Sequence, residues 1–226
     1  MKKHLPNITL INIDCVTLEK TKMAASICEQ NFTFGAVKIL SSIPDSDPRI
    51  ISITKIDSLE KLSNFYIKEL WKYVDTEFAL CFHPDGFILN PLAWTDEFLK
   101  YDYIGAPWYH LDHISKGVVG NGGFSLRSKK LLELIGKNYE KIEGSIHPED
   151  LWICKTARPF LEKNGIKFAT EEVASRFSME GTQKFVVWNG QFGFHGGTYT
   201  DISKWLDLHP EYKKVSKKYL ELKLKC

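Results

Sequence analysis

The stretch FALCFHPDGFILNP, residues 78–91, passes from wholly apolar to polar within two residues. Phe78, Ala79, Leu80, Cys81 and Phe82 show no alternation, the pattern of a strand covered on both faces, as parallel strands are. His83, Pro84, Asp85 and Gly86 follow directly. Pro ends the ladder and Gly permits a tight turn, so an imidazole and a carboxylate stand at the carboxyl end of a central strand. Open α/β sheets bind their ligands at that edge. The alternative is a plain turn closed by Asp85.

The chain on either side supports such a sheet. Residues 8–13 read as a strand, Thr17 as the N-cap of a helix over 18–30, and residues 36–40 and 50–53 as further strands. Asp57, Ser58, Leu59 and Glu60 read as a capping box for a helix reaching about Val74, ahead of the strand at 78–82. Strand and helix in alternation predict a largely parallel sheet with right-handed crossovers. Beyond Pro91 the spacing predicts a short helix over 94–99, a strand over 101–108 that runs into a loop, and a flexible GVVGNGG segment at 117–123. Ser128 caps a helix over 129–135 that stops at Gly136, and a helix opened by Pro148 is kinked at Pro159. A short strand falls at 166–169, and Asn189-Gly190 between two apolar runs predicts a small late β-hairpin.

At 226 residues the chain fits one α/β domain over 1–200 with a helical extension over 201–226. Thirty basic against 28 acidic residues offer no electrostatic case for nucleic acid. Five cysteines without a C-x-x-C pair, mostly in apolar settings, point to a reducing compartment and a cytoplasmic location. No run approaches the length of a membrane span. Residues 212–225 place Val215, Tyr219 and Leu222 among lysines, either as a peripheral membrane contact or as a helix packed on the domain.

Three polar clusters follow apolar segments: His83 to Gly86, His147 to Asp150, and His195 to Gly197. Imidazoles and carboxylates from separate loops can hold a divalent ion and leave one carboxylate as a base. Each also has an ordinary role: Asp85 in a turn, Glu149 and Asp150 at a helix start, His195 within a hairpin.

Taken together, FGAVKILSS at 34–42, HPDGFILNP at 83–91, DYIGAPW at 102–108, VGNGGFSLRS at 119–128, PED at 148–150 and FGFHG at 192–196 resemble the DUF5672 family. The resemblance runs in order from about residue 8 to residue 197. That family is similar to nucleotide-sugar-dependent glycosyltransferases of the GT-A fold. The resemblance implies a Rossmann-like, mostly parallel sheet flanked by helices, with donor binding in about residues 1–100 and acceptor and catalysis in about 101–200. It implies transfer of a sugar from a nucleotide-diphosphate sugar, a UDP-sugar favoured, to a hydroxyl of a glycan or lipid-linked acceptor. Asp85 matches the last acid of the Asp-x-Asp signature and His195 a late metal-binding histidine. His83 stands where the first acid would be. A Mn2+ or Mg2+ ion is then implied on Asp85, His195 and His83. Gly122, Gly123 and Gly86 line the donor with Val16 and Thr17. Trp108, Tyr109 and Asn121 face the acceptor. Glu149 orients a sugar hydroxyl and Asp150 is the base of an inverting reaction. A metal-dependent phosphoesterase or nucleotidyltransferase, and a carbohydrate-binding protein without turnover, are the alternatives.

Overall fold

The computed structural model describes residues 2–108, 119–181, 185–196 and 199–212. The first half alternates as the sequence pattern predicts: β1 (Lys3–Ile13), α1 (Leu18–Glu29), β2 (Phe32–Ser41), β3 (Ile50–Ser52), α2 (Leu59–Lys68) and β4 (Phe78–Phe82). The second half holds β5 (Tyr103–Ile104), β6 (Ala106–Pro107), β7 (Val119–Gly120), β8 (Phe124–Ser128), α3 (Lys129–Asn138), α4 (Glu149–Leu151), α5 (Arg158–Lys163) and α6 (Glu171–Phe177). It closes with β9 (Ser178–Glu180), β10 (Val186–Val187), β11 (Gly193–His195), β12 (Thr200–Asp201) and α7 (Ser203–Leu208).

The central sheet has six strands in the order β3-β2-β1-β4-β8-β5. β1 pairs in parallel with both β2 and β4, and β8 runs antiparallel to β4 and β5. The chain leaves β1 for β2 on one side and returns to β4 on the other. The carboxyl ends of β1 and β4 are therefore the switch point of the sheet, where a crevice opens between diverging connections.

The unbroken apolar run of β4 follows from two separate cores. Phe78, Leu80 and Phe82 enter one with α1, α6 and Trp205, while Ala79 and Cys81 enter the other with α2, α3 and α5. β1 divides in the same way, Ile8 and Leu10 against Ile11 and Ile13. Both faces are dry, so neither strand needs a polar alternate. The thiols of Cys28, Cys81 and Cys154 are buried, and burial pushes that of Cys28 up to about 12.

Local signals were right in kind more often than in extent. Ser58 caps α2 by accepting from Lys61 N at 3.2 Å, while Asp57 pairs with the Lys61 ammonium at 2.7 Å, so the cap lies one residue later than expected. α2 ends at Lys68 and a 3-10 turn over Leu70–Tyr73 completes it. The helix expected at 94–99 is a 3-10 turn over Asp96–Lys100. Thr17 does not cap α1 through its side chain; its hydroxyl donates to Asp14 Oδ2 at 2.8 Å. α3 runs through Gly136 to Asn138, and the Trp71 ring lies where a β-carbon at Gly136 would stand. Glycine there serves packing between helices and not termination. The break beyond Pro148 is a π-turn over Trp152–Thr156, closed by Ala157 N to Trp152 O at 2.8 Å. Pro159 sits in the first turn of α5, where its missing N–H costs nothing.

The late hairpin is the clear correction. Asn189-Gly190 does turn, with Gly190 at φ +93°, but β10 pairs with β12 and β11 pairs with β9, each in parallel. The flanking runs belong to different neighbours, so a hairpin never closes. Among the described residues no helix is long and apolar enough to cross a membrane. The amphipathic stretch beyond Tyr212 lies outside the described residues.

Because Leu80 is wholly buried and Leu92 is 93% exposed, Leu80→Ala should lose about 2–5 kcal/mol of unfolding free energy. Leu92→Ala should stay within about 0.5 kcal/mol. Urea denaturation of the two variants checks the contrast.

Candidate active site

At the end of β1, Asn12 and Asp14 shape the crevice. Asn12 Nδ2 donates to the Phe82 carbonyl and so ties the ends of β1 and β4 together. Asp14 is buried and accepts from Val16 N at 2.7 Å, Thr17 N at 2.8 Å and the hydroxyls of Thr17 and Thr21 at 2.8 and 2.5 Å. Val16 and Thr17 are thus placed at the switch point, and the Val16 side chain is 78% exposed.

At the end of β4, His83 and Gly86 exchange backbone hydrogen bonds at 3.0 and 2.9 Å. Proline ends the ladder and the turn re-aims Asp85 across the strand end. Gly86 is a glycine of necessity: a β-carbon there would lie 2.6 Å from Gly123 O. Gly123 is another, since its β-carbon would overlap the His195 ring. Gly196 N donates to Asp85 O at 2.6 Å. Three distant glycine-bearing segments are thereby brought to one point.

At that point His83, Asp85 and His195 offer one ligand atom each within 4.8 Å of one another. His195 Nε2 stands 3.6 Å from Asp85 Oδ1, and the two imidazoles meet edge to face with centroids 5.4 Å apart. Each imidazole is engaged through its other surroundings as well. His195 Nδ1 is 2.6 Å from Glu180 Oε1, and His83 Nε2 is 3.2 Å from the Tyr66 hydroxyl. Two imidazoles and a carboxylate, with outer partners that set ring orientation, make a donor set that fits a divalent ion. Burial, reinforced by the charge of His195, pulls His83 down to about 4 and leaves it neutral. Burial also works against charge on His195, but the Glu180 hydrogen bond and the Asp85 carboxylate outweigh it and raise His195 to about 9.

The loop between β7 and β8 carries the second part. Asn121 adopts φ +81°, and its Oδ1 accepts from Gly123 N at 2.9 Å and Phe124 N at 3.2 Å. Asn and Gly tolerate this backbone where other residues do not. Asp150 Oδ2 accepts from Gly122 N at 3.0 Å, and Oδ1 from Leu151 N at 2.8 Å. Glu149 Oε1 lies 3.3 Å from Nη2 of Arg127, whose side chain is fully buried. Arg127 also bonds Ser125 Oγ at 3.0 Å and lies against the rings of Tyr66 and Tyr103. Burial, with the charges of Glu149 and Glu180, lifts Asp150 to about 6. Two adjacent carboxylates thus differ: one is paired with a cation and the other is not.

The two other residues expected to face an acceptor have interior positions. Asn121 is buried, and Trp108 is 5% exposed with Nε1 donating to Glu180 Oε2 at 3.0 Å. The Trp108 ring face is packed in the core. Tyr109 and Gly197 lie outside the described residues. Sequence reasoning passed over Asn12, Asp14, Tyr66, Arg127 and Glu180 as site residues. Asp14 carried a legible signal, a carboxylate directly after an apolar strand and three residues before Thr17. Arg127 and Glu180 carried none, because their importance lies in partners 22 and 15 residues away.

A family model described as "Protein of unknown function (DUF5672)" matches residues 48–195. The chain belongs to this family, and the match spans the HPDG turn, the GNGG loop, the PED helix start and His195. No curated protein matches the chain. Among solved structures it is similar to the crystal structure of the glycosyltransferase GlyE of Streptococcus pneumoniae TIGR4, at 15% identity and a TM-score of 0.39. That likeness covers 69% of this chain and 44% of the pneumococcal one, so the chain spans less than half of its length.

With the His195 ring seated against Gly123, Gly123→Ala should force the ring or the loop to move and destabilise the fold by about 1–3 kcal/mol. Chemical denaturation checks the loss. An unchanged midpoint would mean that the contact is loose.

Proposed function

We propose that this chain is a GT-A-like glycosyltransferase that moves a sugar from a nucleotide-diphosphate donor to an acceptor hydroxyl with inversion. The observation that carries the reading is the meeting of His83, Asp85 and His195 at the switch point, joined through Gly122 and Gly123 to the paired acids Glu149 and Asp150. In this reading residues up to about 100 form the nucleotide-sugar-binding half and about 101–200 the acceptor and catalytic half, with UDP-sugars as first candidates.

Val16 and Thr17 present the rim of β1 to the nucleoside, and the segments that carry Gly86, Gly122 and Gly123 line the diphosphate and sugar. His83, Asp85 and His195 would hold a divalent cation, Mn2+ or Mg2+, through two imidazoles and a carboxylate. Bound there, the cation supplies Lewis-acid neutralisation of the leaving diphosphate. Asp150 accepts the proton of the acceptor hydroxyl as its oxygen bonds to the anomeric carbon. The bond from that carbon to the diphosphate breaks, and its electron pair leaves with the diphosphate. Gly122 N–H and Leu151 N–H hold the Asp150 carboxylate in orientation through both oxygens. Glu149, paired through Oε1 with Arg127, accepts from a sugar hydroxyl. The acceptor is a glycan or lipid-linked hydroxyl.

A general base must be deprotonated, and the Asp150 carboxyl is raised to about 6. Transfer with a UDP-sugar should therefore fall as pH drops through about 6 and level off above it. Asp150→Asn should lower kcat by about 100-fold or more and abolish that limb. Wild-type kcat in a folded, donor-binding Asp150→Asn would overturn the assignment. Release of free nucleotide monophosphate without sugar transfer would instead favour the phosphoesterase reading, which the same cluster can support.

A further inference from the structure

The carboxylate of Glu180 uses both oxygens on residues from two different elements. Oε1 takes the hydrogen of His195 Nδ1 at 2.6 Å, and Oε2 accepts from Trp108 Nε1 at 3.0 Å. The arrangement is built into the backbone: β9 and β11 pair so that Glu180 stands directly opposite His195. Both side chains are largely enclosed, 11% and 21% exposed. Trp108 in turn covers Gly120, where any β-carbon would overlap its ring, and Gly120 leads into the Asn121-Gly122-Gly123 loop.

From these contacts we propose that Glu180 is the positioning residue of the cation site, holding His195 as a ligand and fastening Trp108 to the same point. The assignment rests on the metal-dependent reading above. An imidazole can bind a metal only through a nitrogen without a hydrogen. With the Nδ1 hydrogen committed to Glu180, Nε2, the nitrogen that faces Asp85 at 3.6 Å, is the one that gives up its hydrogen to take a cation. A ring turned over exchanges Nδ1 with Cδ2 and Nε2 with Cε1, which loses the Glu180 bond and replaces the nitrogen facing Asp85 by carbon, so the carboxylate selects one orientation. Outer carboxylates of this kind typically govern metal affinity by about 10–100-fold. Through its second oxygen Glu180 also fixes the indole that backs the loop contacting Asp150. One side chain thereby braces the cation site and the wall behind the proposed base.

The test is titration of the full chain with Mn2+, reading the free ion by electron paramagnetic resonance, for wild type, Glu180→Gln, Glu180→Ala and His195→Ala. Thermal melting confirms that each variant is folded. Glu180→Ala should weaken Mn2+ binding by about 10–100-fold. Glu180→Gln keeps a carbonyl oxygen for the Nδ1 hydrogen and should fall between Glu180→Ala and wild type, a rescue that a merely structural role would not give. Glu180→Ala binding as tightly as wild type, while His195→Ala binds weakly, would overturn the positioning role and leave the cation site standing. Absence of Mn2+ binding in wild type would overturn both. Should Glu180→Ala fail to fold, wild-type affinity in Glu180→Gln overturns the proposal.

Discussion

Close approach of backbone at Gly86, Gly123 and Gly196 is the constraint on which the site depends. A β-carbon at Gly86 would meet Gly123 O at 2.6 Å, one at Gly123 would overlap His195, and one at Gly196 would meet Asp85 O at 2.8 Å. Protein interiors are packed too densely to absorb such overlaps without movement. The absence of side chains at these positions therefore brings the ends of β4, the loop before β8 and the end of β11 into contact. The side chains next to them in sequence are carried along: Asp85 beside Gly86, Asn121 and Arg127 around Gly122 and Gly123, His195 beside Gly196.

Charge is distributed over this frame by burial as much as by residue type. Arg127 is a cation with no exposure, matched by Glu149 at 3.3 Å and by the faces of Tyr66 and Tyr103. A buried ion of this kind is tolerated only when paired and hydrogen-bonded. Asp150, next in sequence to Glu149, has backbone N–H donors in place of a cation and is lifted to about 6. Two neighbouring carboxylates are thus separated by their partners, a cation for Glu149 and backbone donors for Asp150. His83 and His195 are separated likewise, one held down by burial and the other held up by Glu180 and Asp85.

The elements of the first half were legible because their signals are local. β-branched and aliphatic runs, the capping sequence around Ser58, and the apolar run of β4 each act through neighbours within a few residues, and each element forms where its signal lies, although β1 and β2 run longer and α2 ends sooner than expected. Signals failed where a distant contact outcompeted the local one. Gly136 lies inside a helix with the Trp71 ring in the place of a β-carbon, and Asn189-Gly190 turns without making a hairpin because β10 and β11 find partners at β12 and β9.

The sequence by itself determined an α/β sheet of mostly parallel strands, a carboxylate and an imidazole at the end of its central strand, and an ordered set of motifs that places the chain among DUF5672 proteins. Those properties rest on period, turn chemistry and residue order, which are written along the chain. Only the tertiary structure decided which polar groups meet. Asp14 as the anchor of the first loop, Arg127 as the counter-charge of Glu149, and Glu180 between His195 and Trp108 all depend on partners from other elements. Desolvation and hydrogen bonding act on a side chain only after folding has surrounded it, so a residue's ionic character cannot be read from the residues beside it in sequence.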